Sequence, residues 1–158
     1  MTDFASLIRT LADAGVEFIL VGGVAATVHG STRLTRDVDV VYARSSENIE
    51  RLAQSLRPLD PYLRGAPPGL PFVWGAATIQ RGLNFTLSTR IGDIDLLGEL
   101  TGGGGYDALL SHTVTVRIFD RDVRCLDLDT LIRVKRAAGR PRDIEAVAEL
   151  EALRDEER

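Results

Sequence analysis

Two aspartates in one short apolar strand constrain this chain most strongly. The surrounding stretch, Ile19–Val41, reads ILVGGVAATVHGSTRLTRDVDVV. Successive side chains of a strand point to opposite faces, so Asp37 and Asp39 share one face while the valines that alternate with them share the other. Two like charges about 4 Å apart repel by roughly 4 kcal/mol at an effective dielectric near 20. A folded chain therefore needs a counter-charge at this position, and a divalent cation is the obvious candidate.

A Gly-Gly turn precedes this strand. Phe18–Val21 is a short, wholly apolar run, typical of a strand that is covered on both faces, and it leads into Gly22 and Gly23. The following residues, Val24–His29, are predicted to form a short helix. Glycines let the backbone approach a ligand closely, and free N–H groups at the start of a helix bind anions. The turn is therefore a candidate triphosphate site, and the alternative is that the glycines only turn a strand into a helix.

A third carboxylate is predicted later in the chain. Residues 83–88 alternate apolar and polar side chains as a half-buried strand does, and a turn then leads into Asp93–Leu97, which reads DIDLL. Asp93 and Asp95 share one face of this second strand. An antiparallel strand placed beside Asp39 would bring one of the two to the same site, and the residues alone do not choose between them.

These features together resemble the signature of the DNA polymerase β-like nucleotidyltransferase superfamily, in which a Gly-Gly or Gly-Ser turn, an Asp-x-Asp strand and a third carboxylate follow in this order. Ser31–Arg36 is similar to the segment between turn and strand in the minimal nucleotidyltransferase branch, which includes abortive-infection-type toxins. The run Lys135–Asp143, KRAAGRPRD, resembles the ending of that branch. The resemblance covers most of the chain, although Asp60–Ile79 and the glycines at 102–105 carry no matching motif.

The resemblance implies an α+β nucleotidyltransferase fold, with a mixed β-sheet flanked by helices and further helices at the C-terminus, in a single domain over residues 1–158. It also implies two Mg²⁺ ions, or Mn²⁺, held by Asp37, Asp39 and Asp95. Asp95 is favoured over Asp93 because the minimal branch commonly has a Gly-x-apolar-Asp-apolar-Leu run at this point. The nucleotide-binding residues implied are Gly22, Gly23, Ser31, Arg33, Thr35 and Lys135.

The implied activity is transfer of a nucleoside monophosphate from a nucleoside triphosphate to a hydroxyl. By resemblance, Asp37 and Asp39 bridge both metal ions, and Asp95 holds the catalytic ion and helps to deprotonate the acceptor. The acceptor is left open between tRNA, a protein hydroxyl and a small molecule such as an aminoglycoside, and a toxin-antitoxin role with an antitoxin partner chain is plausible. The alternative is a catalytically inactive nucleotide-binding or interaction module of the same fold.

The rest of the chain is predicted from periodicity and turn residues. Helices are expected over Phe4 to Gly15, from Ser45 or Ser46 to Pro58, over Leu128 to Gly139, and after Pro141 with Ile144, Val147 and Leu150 on its apolar face. A hairpin is expected from Val114 to Leu126 around an Asp120-Arg121-Asp122 turn, Asp60–Pro71 is expected to be a surface loop, and Phe72–Ile79 is left unassigned.

Composition bounds the class of protein. The chain has 158 residues with 44% hydrophobic and 27% charged, which is ordinary globular composition. The net charge of −4 does not indicate nucleic-acid binding, for which a strongly basic domain is typical. The basic cluster at residues 133–142 is more typical of a solvated helix face unless the fold places it beside a phosphate. A single cysteine cannot form an internal disulfide. No group of cysteines and histidines has the spacing of zinc ligands, so no zinc site is expected. No signal peptide or membrane span is indicated, so a cytoplasmic location is expected.

Overall fold

Seven strands of this protein form one mixed sheet, and its central strands carry the carboxylates. A computed structural model describes residues 1–157. The helices are α1 (Phe4–Asp13), α2 (Gly22–Val28), α3 (Ser46–Leu56), α4 (Ala76–Arg81), α5 (Tyr106–Leu109), α6 (Leu128–Ala138) and α7 (Pro141–Glu157). The strands are β1 (Phe18–Val21), β2 (Asp37–Tyr42), β3 (Tyr62–Leu63), β4 (Phe85–Thr89), β5 (Gly92–Leu97), β6 (Glu99–Leu100), β7 (Gly104–Gly105), β8 (Thr113–Ile118) and β9 (Arg121–Leu126). The predicted α+β fold, a mixed sheet flanked by helices, is confirmed.

The order of strands in the large sheet is β3-β4-β5-β2-β1-β9-β8. β1 runs antiparallel to β2, whereas β5 runs parallel to β2 and places Asp37 beside Asp93 and Asp39 beside Asp95. The predicted antiparallel pairing beside Asp39 is therefore wrong. The hairpin β4–β5 is itself antiparallel, and it docks against β2 through its second strand.

Side-chain caps begin three of the helices. Asp3 accepts a hydrogen bond from the Ser6 amide at the start of α1, and Ser45 accepts one from the Asn48 amide at the start of α3. Asp127 does the same for α6. Each cap satisfies one of the amides that a helix leaves unpaired at its N-terminus. Of Ser45 and Ser46, the two predicted starts of α3, the structure uses Ser45 as the cap.

The core lies between the sheet and the helices. The apolar faces of α1 and α3 are fully buried, and these two helices pack against each other. Trp74 is also buried, and its indole N–H donates to the Ala53 carbonyl in α3. No helix within residues 1–157 has the length and apolar character needed to cross a bilayer.

Three segments differ from the sequence prediction. The loop expected over Asp60–Pro71 contains the short edge strand β3. The pairing of β3 with β4 fixes the position of the next residue, Arg64. The turn of the β8–β9 hairpin lies at Phe119 and Asp120, both with positive φ, although neither is glycine. Ile144 is 61% exposed, because α7 buries its opposite side through Ala146, Val147 and Leu150.

Candidate active site

Three carboxylates meet on one face of the sheet. Asp37, Asp39 and Asp95 each offer an oxygen atom, and these atoms all lie within 4.8 Å of one another. Two features of the backbone bring them together: the two-residue period of β2 and the in-register parallel pairing of β2 with β5. The structure thus unites the three carboxylates that the sequence predicts as metal ligands.

Asp39 is the most strongly perturbed acid of this cluster. Burial, together with the neighbouring charges of Asp37 and Asp95, raises the pKa of its carboxyl to about 8. Its Oδ1 atom is buried and has no hydrogen-bond partner among residues 1–157. Burial and the charge of Asp37 also raise the pKa of Asp95, against the lowering effect of Arg64. The cluster therefore lacks enough positive charge and donor groups to satisfy its oxygens.

Gly22 makes room for the Asp39 carboxylate. It has φ +64°, and a Cβ atom at this position would overlap the carboxylate group of Asp39. A Cβ atom at Gly23 would overlap the hydroxyl-bearing side chain of Thr35. α2 begins at Gly22, two residues earlier than predicted, so both glycines form its first turn. The backbone of this turn therefore closely approaches Asp39 of the acidic cluster and Thr35 of the segment before β2.

Arg64 is a member of this site that sequence reasoning missed. Its Nη2 atom lies 2.8 Å from Asp95 Oδ1, its Nη1 atom 3.4 Å from Asp37 Oδ2, and its Nε atom 3.4 Å from Asp93 Oδ2. It directly follows β3, and its amide donates to the Thr86 carbonyl. In the sequence it is one arginine in a loop rich in proline and glycine. Only the pairing of β3 with β4 brings it to the carboxylates, so no local signal could have identified it.

A cleft of about 410 Å³ opens beside Asp39. Gly22 and Asp39 line it, and α6 contributes Lys135 and apolar side chains. Burial lowers the pKa of Lys135, and the charges of Asp143 and Asp39 oppose this effect. The cleft has the size of small-molecule sites, which span about 300–1,000 Å³, and it combines an apolar wall with a few charged groups. The structure therefore places Lys135 in one cleft with Asp39, and its contact with a nucleotide stays a prediction.

The neighbours of Lys135 have other partners. Arg136 pairs with Glu151 on α7. Asp143 is buried and pairs with Arg140, with 2.6 Å between the carboxylate and Nε. Within this basic cluster, Lys135 and Arg140 line the cleft, whereas Arg136 does not line it.

The remaining predicted residues lie on the segment between α2 and β2. Arg33 forms an ion pair of 3.5 Å with Glu145 on α7, and the Ser31 hydroxyl accepts a hydrogen bond from the Arg33 amide. The Thr35 hydroxyl donates to the Asp37 carbonyl at 3.3 Å. None of these three residues lines the cleft that contains Lys135. Their predicted contact with phosphate stays a prediction.

The donor set suits a hard divalent cation. Magnesium and manganese prefer oxygen ligands, and magnesium is usually bound by one or two carboxylates together with substrate phosphates and water. Asp37, Asp39 and Asp95 supply such oxygens within 4.8 Å of one another. The buried, unpartnered Oδ1 of Asp39 is the atom that most needs a cation. The residues present therefore fit a divalent metal ion.

Comparison with known proteins identifies the fold. No protein-family model and no curated protein matches the sequence. The lincosamide antibiotic adenylyltransferase LnuA, solved with lincomycin bound, superposes with a TM-score of 0.64 at 14% identity, over 97% of this chain and 98% of that chain. A proposed nucleotidyltransferase from Thermotoga maritima gives 0.55 at 15% identity, over 100% and 97%. An antigenic nucleotidyltransferase-like protein from Paracoccidioides brasiliensis gives 0.58 at 13% identity, over 94% and 72%. These likenesses show that the chain has the fold of nucleotidyltransferases.

Proposed function

We propose that this protein is a metal-dependent nucleotidyltransferase that moves a nucleoside monophosphate from a nucleoside triphosphate to a hydroxyl acceptor. One observation carries the proposal: oxygen atoms of Asp37, Asp39 and Asp95 lie within 4.8 Å of one another, and Asp39 lines a cleft that the half-buried Lys135 also lines. A single acidic cluster would be weak support. Its combination with Lys135 and with the fold of nucleotidyltransferases supports transfer chemistry.

The three carboxylates have two kinds of role in this proposal. Asp37 and Asp39 would hold the metal ions, and Asp95 would hold one ion and accept the proton of the acceptor hydroxyl. A divalent cation bound there would neutralise the triphosphate and acidify the hydroxyl, as in other two-metal sites. The raised pKa of Asp95 suits a group that takes up a proton during the reaction.

The cleft beside Asp39 is the proposed nucleotide site. The Lys135 ammonium would pair with the triphosphate as a compact point charge. Apolar side chains of β5 and α6, namely Leu97, Leu131 and Val134, would cover the nucleoside. The segment Ser31–Thr35 remains a second proposed phosphate contact, which would require Arg33 to leave Glu145.

A small-molecule acceptor is favoured over a macromolecule. The likeness to LnuA, an antibiotic adenylyltransferase, extends over almost the whole of both chains, which supports an acceptor of similar size. The described fold adds to the sheet and its flanking helices only a two-stranded ribbon, β6–β7. tRNA and protein hydroxyls are the other proposed acceptors, and both belong to the proposed toxin-antitoxin role.

The second candidate is an inactive nucleotide-binding module, and a specific contact favours it. Arg64 already pairs with two of the three carboxylates, as a substitute for metal would. The two functions differ in turnover, because the module would bind a triphosphate without releasing pyrophosphate. Lys135 would have the same role in both.

The test is an acceptor screen. Purified protein is incubated with each nucleoside triphosphate and Mg²⁺ in the presence of lincosamide and aminoglycoside antibiotics, total tRNA, or cell protein. Mass spectrometry then detects an acceptor that has gained one nucleotide. We expect a nucleotidylated small molecule with wild-type protein and none with Asp37→Asn. Binding of a triphosphate with no pyrophosphate release in any reaction would support the inactive module instead.

A further inference from the structure

Arg64 is held against the acidic cluster from outside the cleft. Its amide donates to the Thr86 carbonyl, which holds the backbone against β4, and Nη2 donates to the Leu87 carbonyl of the same strand at 2.7 Å, which holds the guanidinium. The side chain is only 26% exposed. Such a well-anchored arginine reaches this place only because β3 pairs with the edge of β4.

The contacts of Arg64 with the carboxylates are ionic but poorly aligned. The 2.8 Å contact with Asp95 leaves Asp95 Oδ1 without a hydrogen bond, and Nε also lacks one, although both atoms are buried. Only the 3.4 Å contact with Asp37 qualifies as a hydrogen bond. A guanidinium normally recognises a carboxylate through two parallel N–H···O bonds. Arg64 therefore acts here mainly as a positive charge.

Arg64 also reaches a particular subset of the acids. It pairs with Asp37, Asp93 and Asp95, whereas no ion pair in the described part of the chain joins it to Asp39. One unit of positive charge faces three carboxylates, and the buried Asp39 remains without a counter-charge of its own from this side. A divalent cation among Asp37, Asp39 and Asp95 would carry twice that charge and would repel the guanidinium at short distance.

We propose that Arg64 is the resident counter-cation of the metal-free site and that it exchanges with the divalent cation. In the metal-free protein it keeps Asp37, Asp93 and Asp95 together; when the metal binds, the guanidinium withdraws from Asp37 and Asp95. This inference rests on the metal site of the proposed function. It makes Arg64 a positioning residue that lowers the affinity for metal.

The opposite role for Arg64 is an orienting one. If the guanidinium kept its contacts and only aimed the carboxylates at the metal, removing it would weaken metal binding. Partners that orient metal ligands typically contribute about 10- to 100-fold to affinity. The two roles therefore predict changes of opposite sign in the same measurement.

Direct Mn²⁺ titration followed by electron paramagnetic resonance tests the sign. Arg64→Ala should tighten the Kd for Mn²⁺ about tenfold, equivalent to about 1.4 kcal/mol of relieved repulsion. Arg64→Lys keeps the charge and should bind within about threefold of wild type. The matched control is Arg90→Ala, because Arg90 is 62% exposed and pairs with Asp60 away from the cluster.

A second readout covers the case in which Arg64→Ala fails to fold. In wild-type protein, the Arg64 Nε–H resonance is followed by nitrogen-proton correlation spectroscopy during a Mg²⁺ titration. The resonance should shift with the same midpoint as metal binding. Its linewidth should also change, because the guanidinium loses its ion pairs. An Arg64 resonance that stays unchanged while Mg²⁺ binds would overturn the proposal.

The outcomes separate this inference from the proposed function. Tighter Mn²⁺ binding by Arg64→Ala with near-normal binding by Arg64→Lys supports the exchange. Equal or weaker binding by Arg64→Ala overturns it and leaves the proposed metal site standing. Absence of Mn²⁺ binding by wild type and all variants removes the metal site and the exchange together.

Discussion

Asp39 on β2 is the direct neighbour of Asp95 on β5, across a parallel strand pair. Their carboxylates lie on the same face of the sheet, together with that of Asp37. Burial and the charges of Asp37 and Asp95 raise the pKa of Asp39, and burial and the charge of Asp37 raise the pKa of Asp95. Without a counter-charge, this cluster of ionised acids therefore lowers the stability of the folded protein.

The stability of the metal-free protein should fall as the pH rises. The pKa of Asp39 goes from 3.8 when unfolded to about 8 when folded, so the native state binds more protons between these values. Stability is then lost with increasing pH over this window. Asp39→Asn removes the titration and should be more stable than wild type by on the order of 2 kcal/mol at pH 8 and by little at pH 4. Urea unfolding with EDTA at the two pH values measures this, and a pH-independent difference would contradict it.

Gly22→Ala should harm both the fold and the metal site. The substitution places a methyl group on the Asp39 carboxylate and an alanine at φ +64°. Gly15→Ala is the matched control, because Gly15 has φ +73° and open space around its Cβ position. The control should lose about 1–2 kcal/mol from backbone strain alone. Gly22→Ala should lose more in urea unfolding and should also lose Mn²⁺ binding, and equal behaviour of the two variants would rule out a close packing role.

Asp95→Asn and Asp93→Asn should differ in effect. Asp95 belongs to the three carboxylates within 4.8 Å, whereas Asp93 lies outside that set and is 37% exposed. We expect Asp95→Asn to reduce transfer to background and to weaken Mn²⁺ binding, and Asp93→Asn to retain both. Initial rates and Mn²⁺ titration measure the pair. Comparable losses would show that the resemblance used to choose Asp95 does not hold here.

Lys135→Ala should weaken triphosphate binding, whereas Arg136→Ala should not. Lys135 lines the cleft beside Asp39, and Arg136 pairs with Glu151 on α7 instead. Loss of one charge-assisted hydrogen bond corresponds to about 1.5–3 kcal/mol. Calorimetric titration of each variant with a triphosphate at low and moderate salt measures the difference. Small and equal effects would return the basic cluster to a solvated surface role.

The sequence predicts which aspartates share a strand face better than it predicts the topology of the sheet. Asp37 and Asp39 follow from a two-residue period, which is a local property. The direction of β5 beside β2 is not local, because it depends on which strand of the β4–β5 hairpin docks. The same holds for Arg64, whose place depends on the two-residue strand β3 in an irregular loop. Contacts made by long-range pairing of short strands leave little trace in local periodicity.

The C-terminal region shows the same limit. α6 is predicted correctly over Leu128 to Gly139, because its apolar spacing and its closing glycine are both local signals. The apolar side of α7 is only partly predicted, since Ile144 is exposed while Val147 and Leu150 are buried. The ion pair between Arg33 and Glu145 joins two distant segments, so its competition with a phosphate contact could not be foreseen.

The most direct test of the central claim follows the two ends of the triphosphate separately. Wild-type protein, Mg²⁺ and an acceptor pool are incubated with a nucleoside triphosphate labelled on the α-phosphate or on the γ-phosphate, and Asp37→Asn and Asp39→Asn serve as controls. The proposed function predicts that the α-label joins the acceptor, that the γ-label leaves as pyrophosphate, and that neither happens with the variants. Transfer of the γ-label to the acceptor, or unchanged α-transfer by both variants, would contradict it.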